Sequence, residues 1–377
     1  MFRLFCVVFA AGFFFSCEDY TEERQLVSGG NIDEVLLVVA EDQIDTEFSD
    51  TLVWYFTQLY PGLPQAEPRF NVRIKSIQQF LGAGDLLRKY RTIVFASPLN
   101  EQNQVSSLIR DKLGEEHLEK SGRDENFFYA TQQDVYAAPQ LVVYLFAPTT
   151  ETLVSRLENN LPRFYNVITK HENEQIRAKL FTEGVDQRII PLLQEQFGIS
   201  MRVPAPYYLK VQDTNFLWIA KDLAFRDQRG DVVKEVKQNI MIAEFPLDEI
   251  DLEELAADTI EGKDLQAYPF ILRDRIGRKY VHGSTEANYM RTELREPLYQ
   301  TVIQLDGVPV MESRGLWRLE DQFMGGPFVN YILKDEEAGR LLMIEVFVYA
   351  AGSQKRPLVR ELEAIVSTTD LDPEVLD

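Results

Sequence analysis

Residues 312–360, ESRGLWRLEDQFMGGPFVNYILKDEEAGRLLMIEVFVYAAGSQKRPLVR, contain the strongest structural signals in the chain. Within them, Gly325-Gly326-Pro327 marks a tight connection, because glycine adopts positive φ without a steric penalty and proline lacks a backbone donor. Residues 341–350 are almost continuously apolar, which is typical of a strand buried on both faces. Apolar residues then recur at helical spacing: Leu358, Leu362 and Ile365. The stretch therefore predicts a meander of antiparallel strands closed by an amphipathic helix.

The rest of the chain divides into two halves of similar size. Strand-like and helix-like segments alternate over residues 31–197, which indicates an α/β half with helices covering a mixed sheet. A new series of strands begins at about Gly198, and residues 198–377 form an α+β half that contains the meander and the closing helix. We predict an α+β fold with mixed and antiparallel sheets flanked by helices. The sequence leaves open whether the two halves share one continuous sheet.

The N-terminus has the anatomy of a secretory signal. One positive charge, Arg3, precedes the apolar residues 4–15, and a small residue, Ser16, precedes Cys17. The apolar run is shorter than the roughly 20 residues that a membrane-spanning helix requires. A buried N-terminal helix or strand is the alternative. We assign residues 1–16 to a signal peptide and residues 17–30 to an acidic, flexible tether.

Cys17 is the candidate lipidation site. The other cysteine, Cys6, lies inside the predicted signal, so the mature chain has no partner for a disulfide bond. The sequence Phe14-Phe15-Ser16-Cys17 resembles a lipobox in the relaxed form found in Bacteroidetes lipoproteins. This resemblance implies cleavage before Cys17, acyl chains on the cysteine and attachment to the outer membrane. The anchored body would face the periplasm or the cell surface.

The composition excludes one class of partner. The net charge is −21, from 39 basic and 60 acidic residues. Nucleic acids require basic surfaces that neutralise their phosphates, so we expect no nucleic-acid partner. The acidity also disfavours close contact with anionic lipid headgroups, and solubility is its simplest explanation.

Several motifs along the chain resemble one family of Bacteroidetes lipoproteins, domain of unknown function 4837. Besides the lipobox, these motifs are Trp54-Tyr55-Phe56, residues 61–70 (PGLPQAEPRF), residues 138–142 (APQLV), residues 270–274 (FILRD), Asn288-Tyr289-Met290, residues 314–317 (RGLW), residues 324–329 (MGGPFV), residues 347–350 (FVYA) and Lys355-Arg356. The motifs extend over nearly the whole mature chain. The resemblance implies an envelope location and a shared fold, but it supplies no activity.

The sequence contains no recognisable catalytic or metal-binding pattern. His117, His171 and His282 lack metal-ligand spacing, so we expect neither a metal site nor a cofactor. There is no nucleophile elbow, phosphate-binding loop or dinucleotide fingerprint.

What remains is a set of polar and aromatic side chains that could bind a ligand: Arg273, Asp274, Tyr289, Arg314, Trp317, Lys355 and Arg356. An Arg–Asp pair beside a tryptophan could form a carboxylate-binding or sugar-binding cleft, since arginine offers paired donors and tryptophan a stacking face. In the alternative, Arg314 and Asp274 form a structural ion pair and Trp317 lies in the core.

The sequence favours a non-catalytic binding or envelope-structural role for an outer-membrane lipoprotein. The expected partners are the membrane, through the acyl chains on Cys17, and an envelope protein or glycan. The alternative is a hydrolase acting on envelope or dietary glycans or on peptides, although no catalytic constellation supports it.

We predict that metabolic labelling with a palmitate analogue marks the wild-type chain but not Cys17→Ala, because the thiol is the site of acylation. Gel fluorescence of the purified protein measures the labelling. Equal labelling of the two chains would contradict the lipobox assignment.

Overall fold

A computed structural model describes residues 26–250, 260 and 265–372. Residues 1–16 and Cys17 lie outside the described residues. The last residues of the predicted tether, however, pair with the N-terminal half. β1 (Leu26–Val27) runs parallel to β6 (Ala137–Ala138), and the Gly29 amide donates to the Lys89 carbonyl at 2.8 Å. This end of the predicted flexible tether is therefore part of the folded body.

The N-terminal half is built on a five-stranded sheet in the spatial order β3-β2-β4-β7-β5. The strands are β2 (Glu34–Val39), β3 (Asn71–Ser76), β4 (Thr92–Pro98), β5 (Tyr129–Gln133) and β7 (Leu141–Ala147). β3, β2, β4 and β7 are parallel, and β5 is antiparallel to β7. The sheet is therefore mixed, as predicted.

Helices cover both faces of this sheet. They are α1 (Glu47–Phe56), α2 (Ile77–Gly82), α3 (Asp85–Arg88), α4 (Gln104–Arg123), α5 (Thr150–Asn159) and α6 (Leu161–Leu180). Val35, Leu37 and Val39 pack with α1, α5 and α6, whereas Leu36 and Val38 pack with α2, α3 and α4. Side chains alternate between the faces of a strand, so two covered faces require the continuous apolar run of β2.

The C-terminal half is built on an eight-stranded sheet in the order β11-β13-β14-β15-β10-β9-β8, with β12 also paired to β13. The strands are β8 (Tyr208–Asp213), β9 (Phe216–Arg226), β10 (Val232–Pro246), β11 (Met290–Thr292), β12 (Tyr299–Leu305), β13 (Val308–Leu319), β14 (Gly325–Asp335) and β15 (Arg340–Tyr349). Its strand pairings are antiparallel. The predicted meander is β13-β14-β15.

Helices also cover both faces of the C-terminal sheet: α7 (Ile189–Phe197), α8 (Tyr268–Tyr280) and α9 (Arg356–Val366). α7 and α9 pack on one face, and α8 packs on the other. α9 is the predicted closing helix. Among the described residues, no helix combines the length and the apolar character that crossing a membrane requires.

The described strands of the two halves form separate sheets, so the alternative of one continuous sheet is not what the structure contains. The side chains of α7, which the sequence places before the Gly198 boundary, pack in the C-terminal core: Ile189, Leu193 and Phe197. The two halves meet where α9 lies beside α6 and the segment after α1.

A carboxylate from the N-terminal half caps the closing helix. The backbone amides of Lys355 and Arg356 donate to Glu67 Oε1 and Oε2 at 2.7 and 3.0 Å, and Glu67 is buried. The first amides of a helix have no partner within the helix, and its N-terminal dipole favours a negative charge. Glu67 therefore joins the two halves through the start of α9.

We predict that Glu67→Ala lowers the free energy of unfolding by about 1–2 kcal/mol, because it leaves the amides at the start of α9 without an acceptor. Urea denaturation measures the change. Glu183→Ala, at an exposed position of the N-terminal half, is the matched control. Equal stability of the two variants would contradict a capping role for Glu67.

Candidate functional site

The sequence-predicted binding residues lie on both faces of the C-terminal sheet. Arg314 and Trp317 are both on β13 but three positions apart, and side chains alternate along a strand. Arg314 therefore faces α9, whereas Trp317 packs in the core beneath α8. A single cleft lined by both side chains and by Arg273 does not form.

Arg273 of α8 is completely buried, and neighbouring groups accept four hydrogen bonds from its guanidinium. Nε and Nη2 donate to the two oxygens of Glu345 on β15, each at 2.9 Å. Nη1 donates to Asp274 Oδ1 at 2.8 Å and to Thr292 Oγ1 at 2.7 Å, and the guanidinium carbon lies 3.9 Å from the ring centroid of Phe328. Arg273 thus attaches α8 to the sheet, and it has no surface to offer a ligand.

Asp274 and Tyr289 lie beside this cluster, and neither lines the open cleft described below. Asp274 Oδ1 accepts from the backbone amide and the hydroxyl of Thr292, which holds β11 against α8. Tyr289 is half-buried, and the guanidinium of Arg278 lies 5.1 Å from its ring centroid. Asp274 pairs with Arg273 and not with Arg314, so the structural pair proposed from the sequence has different members.

Arg314 belongs to a buried network at the junction between the halves. Nε and Nη2 donate to Glu312 Oε1 and Oε2 at 2.6 and 2.9 Å, and Nη2 also lies 2.6 Å from Glu363 Oε1 of α9. Tyr60 of the N-terminal half donates its hydroxyl to Glu363 Oε2 at 2.5 Å. Burial opposes the charged form of Arg314, but Glu312 and Glu363 raise its pKa well above the ordinary value.

Tyr60 carries this network across the junction. Burial and then the Glu363 carboxylate raise the pKa of Tyr60 to about 12, so its hydroxyl remains a donor at neutral pH. Arg314 Nη1 also donates to the Tyr60 oxygen, at 3.3 Å. Removing one member of such a network would leave a buried charge without its partner, which costs about 3–5 kcal/mol.

A second ion pair crosses the same junction. Arg360 of α9 donates through Nη2 to Glu172 Oε2 of α6 at 3.1 Å, and its Nη1 lies 3.3 Å from Glu363 Oε2. Burial is the main influence on Glu172 and raises its pKa to about 7, although Arg360 and Arg69 oppose the shift. The other oxygen, Oε1, has no hydrogen-bond partner within the described residues. Glu172 is thus a buried carboxyl that titrates near neutral pH.

Lys355 and Arg356 begin the closing helix at the same junction. Arg356 is buried and donates to Asp33 Oδ2 and to the Pro68 carbonyl, both in the N-terminal half. Lys355 Nζ donates to Gln65 Oε1 at 3.2 Å, and burial lowers the pKa of this amine. No ion pair of Lys355 is present within the described part of the chain.

Trp317 is held in the core by its indole. Nε1 donates to the Val348 carbonyl at 3.1 Å, and the ring meets Phe347 edge to face at 5.5 Å between centroids. A Cβ at Gly326 would lie 2.0 Å from the Val348 oxygen and 3.3 Å from Trp317 Nε1. Gly325 and Gly326, predicted to form a tight connection, are instead the first residues of β14, where the absence of side chains lets the strand approach this hydrogen bond.

One open cleft does contain two of the predicted residues, Trp317 and Lys355. We call it the junction cleft, because Pro64 and Gln65 line it from the N-terminal half; its volume is about 400 Å³. The C-terminal half supplies Glu293, Glu296, Leu316, Trp317, Arg318, Phe323, Gly325, Gly326, Tyr349, Ala350, Ala351 and Lys355. Phe323 is fully exposed at its rim.

Sequence reasoning missed the carboxylates that neutralise the buried arginines: Glu172, Glu312, Glu345 and Glu363. Glu345 left a signal, since it is the single charge in the apolar run 341–350. A charge in such a strand requires a buried partner. The other three left none, because their partners come from distant segments.

No group of three or more His, Cys, Asp or Glu side chains in the described part of the chain is arranged to hold a metal ion. His171 is buried, and its Nε2 lies 2.8 Å from Gln175 Nε2.

Two families match the chain, one in each half. Residues 186–368 match the family described as Domain of unknown function (DUF4837), and residues 28–181 match Domain of unknown function (DUF8532). The resemblance inferred from the sequence is confirmed for the C-terminal half. The motifs around Trp54 and Pro139 fall within the second family. No curated protein matches the chain in sequence.

Among solved structures, the chain is similar to a point mutant of the protein Mog1, with 9% identity and a TM-score of 0.28 over 47% of this chain and 93% of that one. The Ran-binding protein Mog1p of Saccharomyces cerevisiae is 10% identical, with a TM-score of 0.27 over 47% of this chain and 92% of that one. LpqN, involved in cell envelope biogenesis of Mycobacterium tuberculosis, is 11% identical, with a TM-score of 0.26 over 45% of this chain and 81% of that one. These likenesses are too distant to inform the function.

We predict that the free energy of unfolding of the wild type falls as the pH rises from 5 to 8, and that it falls less in Glu172→Gln. The folded pKa of Glu172, about 7, exceeds its ordinary value of 4.5, so the folded state binds more protons in this window and stability falls as pH rises. Between pH 5 and pH 8, the difference in the free energy of unfolding between wild type and variant should change by up to about 3 kcal/mol, since one pKa unit corresponds to about 1.4 kcal/mol.

Urea unfolding at several pH values measures this difference. Glu183→Gln, at an exposed position shortly after this helix, is the control and should follow the wild-type curve. Parallel curves for wild type and Glu172→Gln would contradict the assignment.

Proposed function

We propose that this chain, whose C-terminal half belongs to the family described as domain of unknown function 4837, is a non-catalytic binding protein of the cell envelope. Its binding surface is the junction cleft, and its partner is a protein segment that presents an apolar side chain beside a carboxylate. The single observation that carries the proposal is the composition of this cleft. It combines an exposed aromatic rim, an apolar wall and a lysine without an ion pair among the described residues.

The apolar part of the cleft suits a side chain of a partner. Phe323 projects entirely into solvent at the rim, and Leu316, Tyr349 and Pro64 also line the cleft. An exposed aromatic residue next to an apolar concavity is typical of the anchor points that dominate protein–protein affinity. Burying such a ring contributes about 1.5–3 kcal/mol.

The charge in the cleft determines the sign of the charge that the partner presents. Lys355 is only 6% exposed, and its amine is bonded to an amide oxygen. Burial lowers the pKa of this amine although the charge of Glu67 opposes the shift, and Glu293 in the same cleft is already paired with Arg295 and Arg318. A buried amine is stabilised when a carboxylate neutralises it. The partner therefore presents an acidic group that reaches Lys355.

The junction network keeps this cleft in shape before the partner binds. Lys355 begins α9, which Glu67, Tyr60 and Glu172 fix to the N-terminal half. A surface that is already ordered loses less conformational entropy on binding. Both halves are consequently needed for binding.

The charged side chains favour binding over catalysis. Arg273, Arg314 and Arg356 are buried and paired with carboxylates. None of the three faces the junction cleft. These arginines stabilise the fold. The cleft itself offers the exposed ring of Phe323 and the amine of Lys355 for recognition.

The envelope location rests on the sequence. The signal-like residues 1–16 and the lipobox-like Cys17 support export and acylation, and we propose the outer membrane as the site of attachment. The acidic body, with a net charge of −21 for the whole chain, would be repelled by anionic headgroups.

We predict that a phage-displayed peptide library selected on the mature chain enriches peptides with an aromatic or aliphatic residue next to Asp or Glu. Phe323→Ser should weaken the affinity about tenfold, since about 1.4 kcal/mol of lost burial corresponds to tenfold. Lys355→Met should weaken binding of the acidic peptides but not of their amide analogues. Isothermal titration calorimetry measures both effects.

Phe225→Ser, at an exposed position of β9, is the control and should leave the affinity unchanged. Phe323 is fully exposed, so its substitution should leave the unfolding temperature unchanged as well. The proposal is contradicted if both cleft variants bind the peptides with the wild-type affinity. Turnover of peptides or glycans by the wild type would favour the hydrolase alternative.

A further inference from the structure

The N-terminal sheet has a crevice between two adjacent strands, β2 and β4, whose following helices lie on opposite faces of the sheet. In the spatial order β3-β2-β4-β7, strand β2 comes first along the chain but lies between β3 and β4, the two strands that follow it in sequence. The connection after β2 leads to α1 on one face, and the connection after β4 leads to α4 on the other. In open α/β sheets, ligands bind outside the carboxyl ends of the strands at this kind of point.

A cleft of about 1180 Å³ lies at that point; we call it the carboxyl-edge cleft. Its walls come from the residues that follow three parallel strands. Residues 40–42 follow β2, residues 77–81 open α2 after β3, and residues 99–111 follow β4 and open α4. The cleft is therefore formed by the topology of the sheet and not by a chance gap between surface loops. It is separate from the junction cleft and shares no lining residue with it.

The cleft does not suit the phosphate groups that often occupy this position. The side chains of Ser76 and Asn103 cap α2 and α4 and accept from the amides of Gln79 and Ser106, at 3.2 and 2.8 Å. These amides are consequently not available to an anion. The lining carries four carboxylates and one guanidinium: Glu41, Asp42, Glu101, Asp111 and Arg110. An anionic ligand would be repelled.

Part of the polar wall is fixed in place. Glu101 Oε2 accepts from Gln43 Nε2 at 2.6 Å and from Asn103 Nδ2 at 3.1 Å, and Gln43 itself is buried. Ser106, also buried and part of the lining, donates its hydroxyl to the Glu101 carbonyl at 2.6 Å. The carboxylate of Glu101 is thus oriented before any ligand arrives.

We infer that the carboxyl-edge cleft binds an uncharged ligand rich in hydroxyl groups, of the size of a di- or trisaccharide. Carboxylates accept from one hydroxyl and side-chain amides can donate to the next, so the two groups together are suited to vicinal hydroxyls. Ile77, Leu81 and Leu99 provide apolar patches for the C–H faces of a sugar ring. The volume exceeds the space that one monosaccharide fills.

Isothermal titration calorimetry of the mature chain with neutral trisaccharides of glucose, mannose, galactose and N-acetylglucosamine tests this inference. At least one trisaccharide should bind. Glu101→Gln and Asp42→Asn should each weaken that binding about tenfold or more, because each substitution removes a charged acceptor of the sugar hydroxyls. Glu116→Gln, exposed beyond the kink at Gly114 in α4 and outside the cleft, should bind as the wild type does.

Two further measurements separate the possible outcomes. Phe323→Ser should bind the trisaccharide normally, which distinguishes this site from the junction cleft. Spermidine and Mg²⁺ serve as cationic probes, because the four carboxylates of the cleft would also attract a cation. The inference is overturned if no trisaccharide binds, if the two cleft variants bind the trisaccharide as tightly as wild type, or if only the cationic probes bind. Circular dichroism verifies that the variants are folded.

Discussion

The arrangement of the two halves depends on a buried network of opposite charges where α9 meets the N-terminal half. Arg314 and Arg360 face the carboxylates of Glu363 and Glu172, and Tyr60 bridges the two halves. Charges removed from water are tolerated only with partners in good geometry, so each member constrains the others. This requirement fixes the position of α9 and, through Lys355, one wall of the junction cleft.

The same requirement explains why most candidate residues do not form a ligand site. Arginines in a strand-rich core must find carboxylates, and Arg273 and Arg314 find them on opposite faces of one sheet. A guanidinium buried against carboxylates in this way offers little surface to a ligand. What remains available to a partner is at the margins: the exposed ring of Phe323, the amine of Lys355 and the polar rim of the N-terminal sheet.

The two clefts differ in origin and in the charge of their linings. The carboxyl-edge cleft follows from strand order within one half, and its lining carries four carboxylates and one guanidinium. The junction cleft arises only because two halves meet, and its lining carries two carboxylates, Glu293 and Glu296, and two cations, Arg318 and Lys355. A protein with both could hold a peptide segment and a saccharide at once, which suits the proposed location in an envelope where proteins and glycans are neighbours.

Local patterns in the chain were enough to specify most of its helices and strands, since periodicity and turn residues act over a few positions. The prediction of a tight connection at Gly325-Gly326-Pro327 was wrong, because these residues begin β14 and pair with β13. The continuous run 341–350 became β15, buried on both faces, and the helical spacing after Pro357 became α9. The roles of the polar residues, by contrast, follow from the tertiary structure. Glu67 caps a helix 288 positions away along the chain, and Arg273 pairs with Glu345, 72 positions away. Such pairings depend on distant segments meeting, and no local pattern specifies them.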